Sequence, residues 1–321
     1  MNKSFILSTG SYLPQKILSN DEISSMVNTS DEWIRQRTGI AQRHIVDQGE
    51  LTSDLATKAA QIAIENAKIS AADIDLIIVA TTTSDKTFPS CATIVQNKLE
   101  CNNAFAFDVQ AACSGFIYAI TIADSLIKAN KKIKHVLVIG AETMSKIVDW
   151  EDRSTCVLFG DGAGAVIIKS TSDQATKSFI ASTSLYSDGN TKILETNGGI
   201  SSTGHSGKIC MNGREVFRHA VDKLTAVIEE TLKDNYLQIN NIDWLIPHQA
   251  NIRIIEAVTK KLNFPMTKVI NTVDKHANTS AASIPLALDH EVQKLKIKKG
   301  DKILLVAIGA GLTWGSVLLH Y

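Results

Sequence analysis

Three short runs, Leu76-Ile77-Ile78-Val79-Ala80, Val136-Leu137-Val138-Ile139-Gly140 and Ile303-Leu304-Leu305-Val306-Ala307, leave no polar position to face water. Unbroken apolar runs of that length mark strands buried on both faces, which requires helices on both sides of a sheet. Between such runs lie stretches of helical period. Thr52 to Ala67 places Leu55, Ala59, Ile62 and Ala63 on one face, with Thr52 or Ser53 as the expected cap. Val216 to Leu232 repeats the pattern with Phe217, Val221, Leu224, Val227 and Ile228. The alternation predicts an α/β fold.

The pattern also predicts a duplication. After each helix comes a polar turn and a matching strand entry, Ile74-Asp75-Leu76-Ile77-Ile78 and then Ile242-Asp243-Trp244-Leu245-Ile246, 168 residues apart. Phe107-Asp108-Val109, leading to Cys113, is expected to answer Thr272-Val273-Asp274, leading to Asn278 to Ala282. Gly160 to Ile168 is expected to answer Gly309 to Leu319 at a similar offset. Three matches in one order point to two α/β halves, residues 1–172 and 173–321, with the polar stretch Ser170 to Gln174 as the seam. Asp188 to Gly207, rich in Gly and Ser, reads as a mobile surface insertion.

Composition narrows the setting. With 321 residues there is material for two halves around a large interior. Lys plus Arg balances Asp plus Glu at 33 each, which argues against nucleic acid or an anionic membrane as the main partner, so any basic site must be local. Five cysteines without CxxC spacing fit neither a disulfide framework nor a zinc site. The N-terminal apolar stretch is too short for a signal peptide, and no run is read as membrane-spanning. A cytoplasmic protein is expected.

Cys113 lies where a strand-like run, Phe107-Asp108-Val109, breaks through small residues into a helix. A thiol there is either an inert core residue or a nucleophile. In the second case the positive helix end would favour the thiolate, and unpaired N–H groups of the first turn would hold an oxyanion. A partner is offered at the end of the strand Trp244-Leu245-Ile246-Pro247, by His248, and a second by Asn278 in the counterpart turn. His248 could instead be a backbone-bonded buried histidine and Asn278 a plain cap. Cys, His and Asn together serve two chemistries: a papain-like hydrolase, in which Asn orients the His, or a decarboxylating condensing enzyme, in which His and Asn both donate to a thioester carbonyl. The protease signature around the nucleophile is absent and a duplicated α/β chain is not that fold, which favours the second.

The chain resembles the β-ketoacyl-acyl carrier protein synthase III family of the thiolase superfamily from end to end. The resemblance rests on Thr29-Ser30-Asp31-Glu32-Trp33-Ile34 with Arg37-Thr38-Gly39-Ile40, on Ala111 to Phe116, and on Trp150 to Ala165. It rests equally on Pro247 to Arg253, His276 to Pro285 and Gly309 to Gly315. It implies a homodimeric thiolase-like fold of duplicated halves in five layers, αβαβα. It implies Cys113 as the acyl-carrying nucleophile, with the N–H groups of Cys113 and Ala310 as oxyanion hole, and His248 and Asn278 polarising a malonyl thioester. No metal or redox cofactor is implied, since the thioester stabilises the carbanion.

The resemblance further implies that Thr29, Trp33, Arg37, Arg153 and Asn251 grip coenzyme A. Gln249, Ala250, Asn251, Ile252 and Arg253, extended by Arg214 and Arg218, would meet the acidic carrier protein, with Lys260 and Lys261 spaced along the same helix. Phe88, reaching across a dimer interface, and Ile308 would shape the primer pocket. Acetyl-coenzyme A, or another acyl-coenzyme A, and malonyl-acyl carrier protein are the expected substrates. Two departures stand out: Gly309-Ala310-Gly311 replaces a triple glycine, and Ile308 an aromatic residue. The alternatives are an acyltransferase of specialised metabolism or a silent carrier-binding homologue. A degradative thiolase is disfavoured because no second Cys lies near Gly309 to Gly311, and for a hydroxymethylglutaryl synthase no acidic Glu can be placed.

Overall fold

Along each strand successive side chains point to opposite faces, and the computed structural model, which describes residues 2–321, shows both faces filled along Leu76–Ala80, His135–Thr143 and Lys302–Gly309. The strands are β1 (Lys3–Tyr12), β2 (Lys16–Ser19), β3 (Gln42–Ile45), β4 (Leu76–Ala80), β5 (Phe105–Val109), β6 (His135–Thr143) and β7 (Asp161–Thr171). After them come β8 (Phe179–Ser187), β9 (Leu194–Thr196), β10 (Ile209–Met211), β11 (Trp244–Pro247), β12 (Lys302–Gly309) and β13 (Thr313–His320). One sheet runs β1-β7-β6-β4-β5 and the other β11-β12-β13-β8.

The alternation sorts residues into layers. In β4, Leu76, Ile78 and Ala80 face a central layer, while Ile77 and Val79 face helices Thr52–Ala67 and Cys91–Leu99 outside. In β12, Ile303, Leu305 and Ala307 face the same central layer. Leu304, Val306 and Ile308 face the outer helices Gly213–Asp234 and Ile252–Lys261. The central layer is two helices, Gly115–Ala129 and Ser283–Gln293, and the whole is helix, sheet, helix, sheet, helix.

The 168-residue offset is written into the backbone. The single turns Ala71–Asp73 and Ile239–Asn241 lie that far apart, as do the strand starts Leu76 and Trp244 and the helix starts Gly115 and Ser283. Each central helix is entered through a tight turn, Ala112–Ser114 or Ser280–Ala282, whose first residue is left-handed, at φ 46° for Ala112 and 49° for Ser280. Non-glycine residues rarely adopt that conformation.

Several expectations are corrected. The helix Thr52–Ala67 is not capped by Thr52 or Ser53: Leu51 is the N-cap, its N–H donating to Asp54 Oδ2 at 2.8 Å, and Ile62 lies on the exposed face. Thr272 to Asp274 is no strand. Strand-like pairing with β11 comes earlier, at Val269 opposite Leu245, and Val273–His276 is a short helix. The glycine-rich stretches do not share the common offset, because residues 144–160 separate β6 from β7 whereas only residues 310–312 separate β12 from β13. Ala112–Ala129 is long and apolar enough to cross a membrane, contrary to expectation. Its apolarity is explained by its packing between the two sheets. The 188–207 segment is no bare loop: β9 pairs with β10, Ile193 is buried, and Leu194 lines the site described next.

Candidate active site

The thiol of Cys113 sits in the turn just before helix Gly115–Ala129, 7 % exposed. The end of β12 is pressed against this turn. A Cβ on Gly309 would lie 2.7 Å from the Cys113 nitrogen, so only glycine allows the approach. Ser114 Oγ donates to the Thr313 carbonyl at 2.8 Å and Thr313 Oγ1 to the Ala111 carbonyl at 3.0 Å. Among the described residues, no oxygen accepts from the N–H groups of Cys113 and Ala310, that of Cys113 meeting only its own thiol. Such unpaired donors are what an oxyanion requires.

His248 and Asn278 come to the same place. A cavity of about 450 Å³ is lined by Cys113, His248 and Asn278 together with Leu158, Phe159 and Ile308. The exposed Arg37, Arg214 and Arg253 line it too, with Ala250 and Asn251. His248 follows β11 directly, its N–H bonded to the Val306 carbonyl at 2.8 Å. Its Nδ1 lies 2.6 Å from Ser283 Oγ. Asn278 is held in extended pairing by Leu158 and Gly160, at 3.0 Å each. Its Oδ1 accepts the Ser280 N–H at 2.9 Å, which assigns its amide –NH₂ away from that turn.

Electrostatics reverses one expectation. Burial pushes the Cys113 thiol from its ordinary value near 9 up to about 12, with buried Glu142 adding to the rise and Ser280 opposing it. That rise corresponds to about 4 kcal/mol against the thiolate, whereas a helix end contributes about 0.3–2 kcal/mol in its favour. Desolvation wins, and the resting residue is a thiol. Burial likewise holds His248 down to about 3, so its imidazole is neutral at pH 7.

Three contributors escaped the sequence reading. Glu142, fully buried, accepts from Thr83 Oγ1 at 2.6 Å, Thr82 N–H at 3.1 Å and Ser280 Oγ at 3.0 Å. Burial raises its pKa, while those donors oppose the rise. A carboxylate at the end of the wholly apolar Val136 run was the available signal. Ser280 and Ser283 lie between His276 and Pro285, where nothing local signals their partners.

The coenzyme A candidates gather on one side. Trp33, in helix Asp31–Thr38, lies under Arg153, whose guanidinium is 4.0 Å from the ring centre; that of Arg37 is at 5.9 Å. Thr29 Oγ1 is buried without a partner, and Asn251 donates to the Arg37 carbonyl at 3.1 Å.

The carrier-protein candidates divide. Gln249 is wholly buried, its amide bonded to the carbonyls of Pro247 and Ile270 and to the N–H of Thr272. It fastens the His248 turn and cannot meet a partner's surface. Ile252 is half-buried against Gly39. Arg218 is tied to Glu215 at 2.6 Å and Lys261 to Asp222 at 3.0 Å, leaving Arg214 and Arg253 to carry the charge beside the cavity.

A second cavity, about 330 Å³, shares Cys113, Phe159 and Leu194 with the first and is lined by Thr82, Gln110, Met144, Ile209, Ala310 and Gly311 among others. Ile308 lines the first cavity rather than this one, because strand alternation turns it outward with Leu304 and Val306. Phe88 is 82 % exposed and lines neither cavity.

Two family descriptions match the chain: 3-oxoacyl-[acyl-carrier-protein (ACP)] synthase III over residues 107–189, and its C-terminal counterpart over residues 232–321. A β-ketoacyl-[acyl-carrier-protein] synthase III of Wolbachia pipientis wMel is 78 % identical, with all of both chains covered. The crystal structure of the Aquifex aeolicus 3-oxoacyl-[acyl-carrier-protein] synthase III is 48 % identical, with 99 % of this chain and 100 % of that one covered, at a TM-score of 0.94. The Pseudomonas aeruginosa enzyme is 37 % identical at a TM-score of 0.93, with 99 % and 98 % covered. The chain therefore belongs to the β-ketoacyl-[acyl-carrier-protein] synthase III family, thiolase-fold acyltransferases of fatty acid biosynthesis.

Proposed function

We propose that the enzyme joins an acyl-coenzyme A primer, acetyl-coenzyme A first among them, to malonyl-acyl carrier protein through an acyl-Cys113 intermediate. The observation that carries this reading is the meeting of Cys113, His248 and Asn278 in one cavity beside two unpaired N–H groups. In the first half-reaction the Cys113 sulfur attacks the primer's thioester carbonyl, and the N–H groups of Cys113 and Ala310 hold the oxyanion. The tetrahedral adduct collapses to acyl-Cys113, and the thiol proton leaves with coenzyme A. In the second, Asn278 and His248 donate to the malonyl thioester carbonyl while carbon dioxide departs. The resulting enolate carbon attacks acyl-Cys113, expelling a thiolate that takes up one proton. Each step balances with the thioester as the only electron sink, so we propose no metal or redox cofactor.

Arg214 and Arg253 would receive the acidic carrier, and the second cavity the primer's acyl chain. The free edge of β5, where Phe105 is exposed, and the exposed Phe88 support a homodimer. All five cysteines are free thiols, which supports a reducing cytoplasm. The test is mass spectrometry of enzyme incubated with acyl-coenzyme A of two to ten carbons, before and after adding malonyl carrier protein. An adduct on Cys113 that disappears as β-ketoacyl product forms is expected; no adduct with any primer refutes the reading.

Coenzyme A recognition has its own expected result. Arg153 lies 4.0 Å from the Trp33 ring centre, so adenine would stack on that face only after Arg153 swings aside. Trp33→Ala should raise KM for acyl-coenzyme A about tenfold, in line with one lost base stack, while kcat stays within about twofold. Steady-state kinetics with varied acyl-coenzyme A decides it.

A further inference from the structure

A neutral imidazole carries one proton on either of two nitrogens, and the partner of Nδ1 decides which. For His248 that partner is the Ser283 hydroxyl, at 2.6 Å. A hydroxyl has one proton to give and two lone pairs to receive, so distance alone leaves the direction open. The surroundings of Ser283 settle it. The Gln249 N–H, which can only donate, points at Ser283 Oγ from 3.3 Å and takes one lone pair. Among the described residues, the only acceptor within reach of the Ser283 proton is His248 Nδ1. If Nδ1 carried the proton, Ser283 would receive two donors and its own O–H would point at nothing. At 2 % exposure for Ser283 and 5 % for His248, water does not repair such a defect. The satisfied arrangement is a chain from Gln249 N–H to Ser283 Oγ and from Ser283 O–H to His248 Nδ1.

We propose that Ser283 is a positioning residue that fixes His248 with its proton on Nε2, making it a standing hydrogen-bond donor beside the Asn278 amide. The proposal rests on the role given to His248 above and deepens it. Nε2 is then already occupied and does not take the Cys113 proton. Its work is confined to the malonyl half-reaction. Ser283 opens helix Ser283–Gln293, so its hydroxyl is carried by the same element that follows the Asn278 turn. Both carbonyl donors are thus set from one stretch of chain: Ser280 orients Asn278, and Ser283 orients His248.

Ser283→Ala should retain acylation of Cys113 by acetyl-coenzyme A within about threefold while decarboxylation of malonyl carrier protein falls at least tenfold, with KM for the carrier unchanged. Ser283→Thr, which keeps the hydroxyl, should recover most of that loss. Nitrogen-15 spectra of histidine-labelled enzyme should report Nε2–H for His248 in the wild type and growth of the Nδ1–H form in Ser283→Ala. A wild-type spectrum showing Nδ1–H, a Ser283→Ala enzyme decarboxylating within twofold of wild type, or equal loss of both half-reactions would each overturn the proposal. His248→Ala separates the two levels. If it decarboxylates normally, the role of His248 itself falls; if it does not while Ser283→Ala does, only the role of Ser283 falls.

Discussion

Cys113→Ser should load no acyl group: after incubation with acetyl-coenzyme A the intact mass stays that of the free protein, and condensation falls at least about 10³-fold, or about 4 kcal/mol of barrier. The size of the effect follows from the surroundings of the residue. Burial already disfavours the charged sulfur strongly, and a serine hydroxyl is a far weaker acid than a thiol. In other nucleophile sites a histidine base offsets this handicap. Here His248 is neutral and held by a hydroxyl at Nδ1, and Glu142, the nearest carboxylate of note, has its oxygens taken up by Thr82, Thr83 and Ser280. The site is arranged for sulfur. A serine enzyme that forms an acyl adduct at a rate near that of the wild type would refute the assignment.

Asn278→Ala should separate the half-reactions in the opposite sense. Its side-chain amide is held by Ser280 N–H through Oδ1, which leaves the –NH₂ for the cavity that also reaches His248. The oxyanion donors proposed for loading belong to other residues, so acylation of Cys113 should persist within a few-fold. Removing one preorganised donor from a developing negative charge is worth about 10²–10³-fold, or about 3 kcal/mol. Carbon dioxide release from malonyl carrier protein should fall by that factor. Parallel measurement of adduct mass and carbon dioxide release checks it, and equal loss of both steps would contradict the division of labour.

How far the sequence reached depended on how local the determining physics was. The strands Leu76–Ala80 and Lys302–Gly309 were legible because burial on both faces leaves an unbroken apolar run. The meeting of Cys113, His248 and Asn278 followed from the duplication together with the rule that sites gather at strand ends. What escaped depended on neighbours distant in sequence. Whether Cys113 is charged is decided by desolvation outweighing a helix end, which no local pattern reports. Gln249 reads as one more polar residue in a loop, yet its amide is consumed by Pro247, Ile270 and Thr272. Thr272 to Asp274 looked like a strand because the turn that follows repeats so faithfully. Nothing local marks Ser283, whose partner His248 lies 35 residues away.

The helix behind the nucleophile binds the two halves to a common fate. Gly115–Ala129 belongs by sequence to the first half, yet it packs on β8, β12 and β13 of the second as well as on its own sheet. A segment apolar enough for a bilayer is tolerated in water only once both covers are closed. Removing either sheet would strip one cover from this helix and expose its apolar side chains to water.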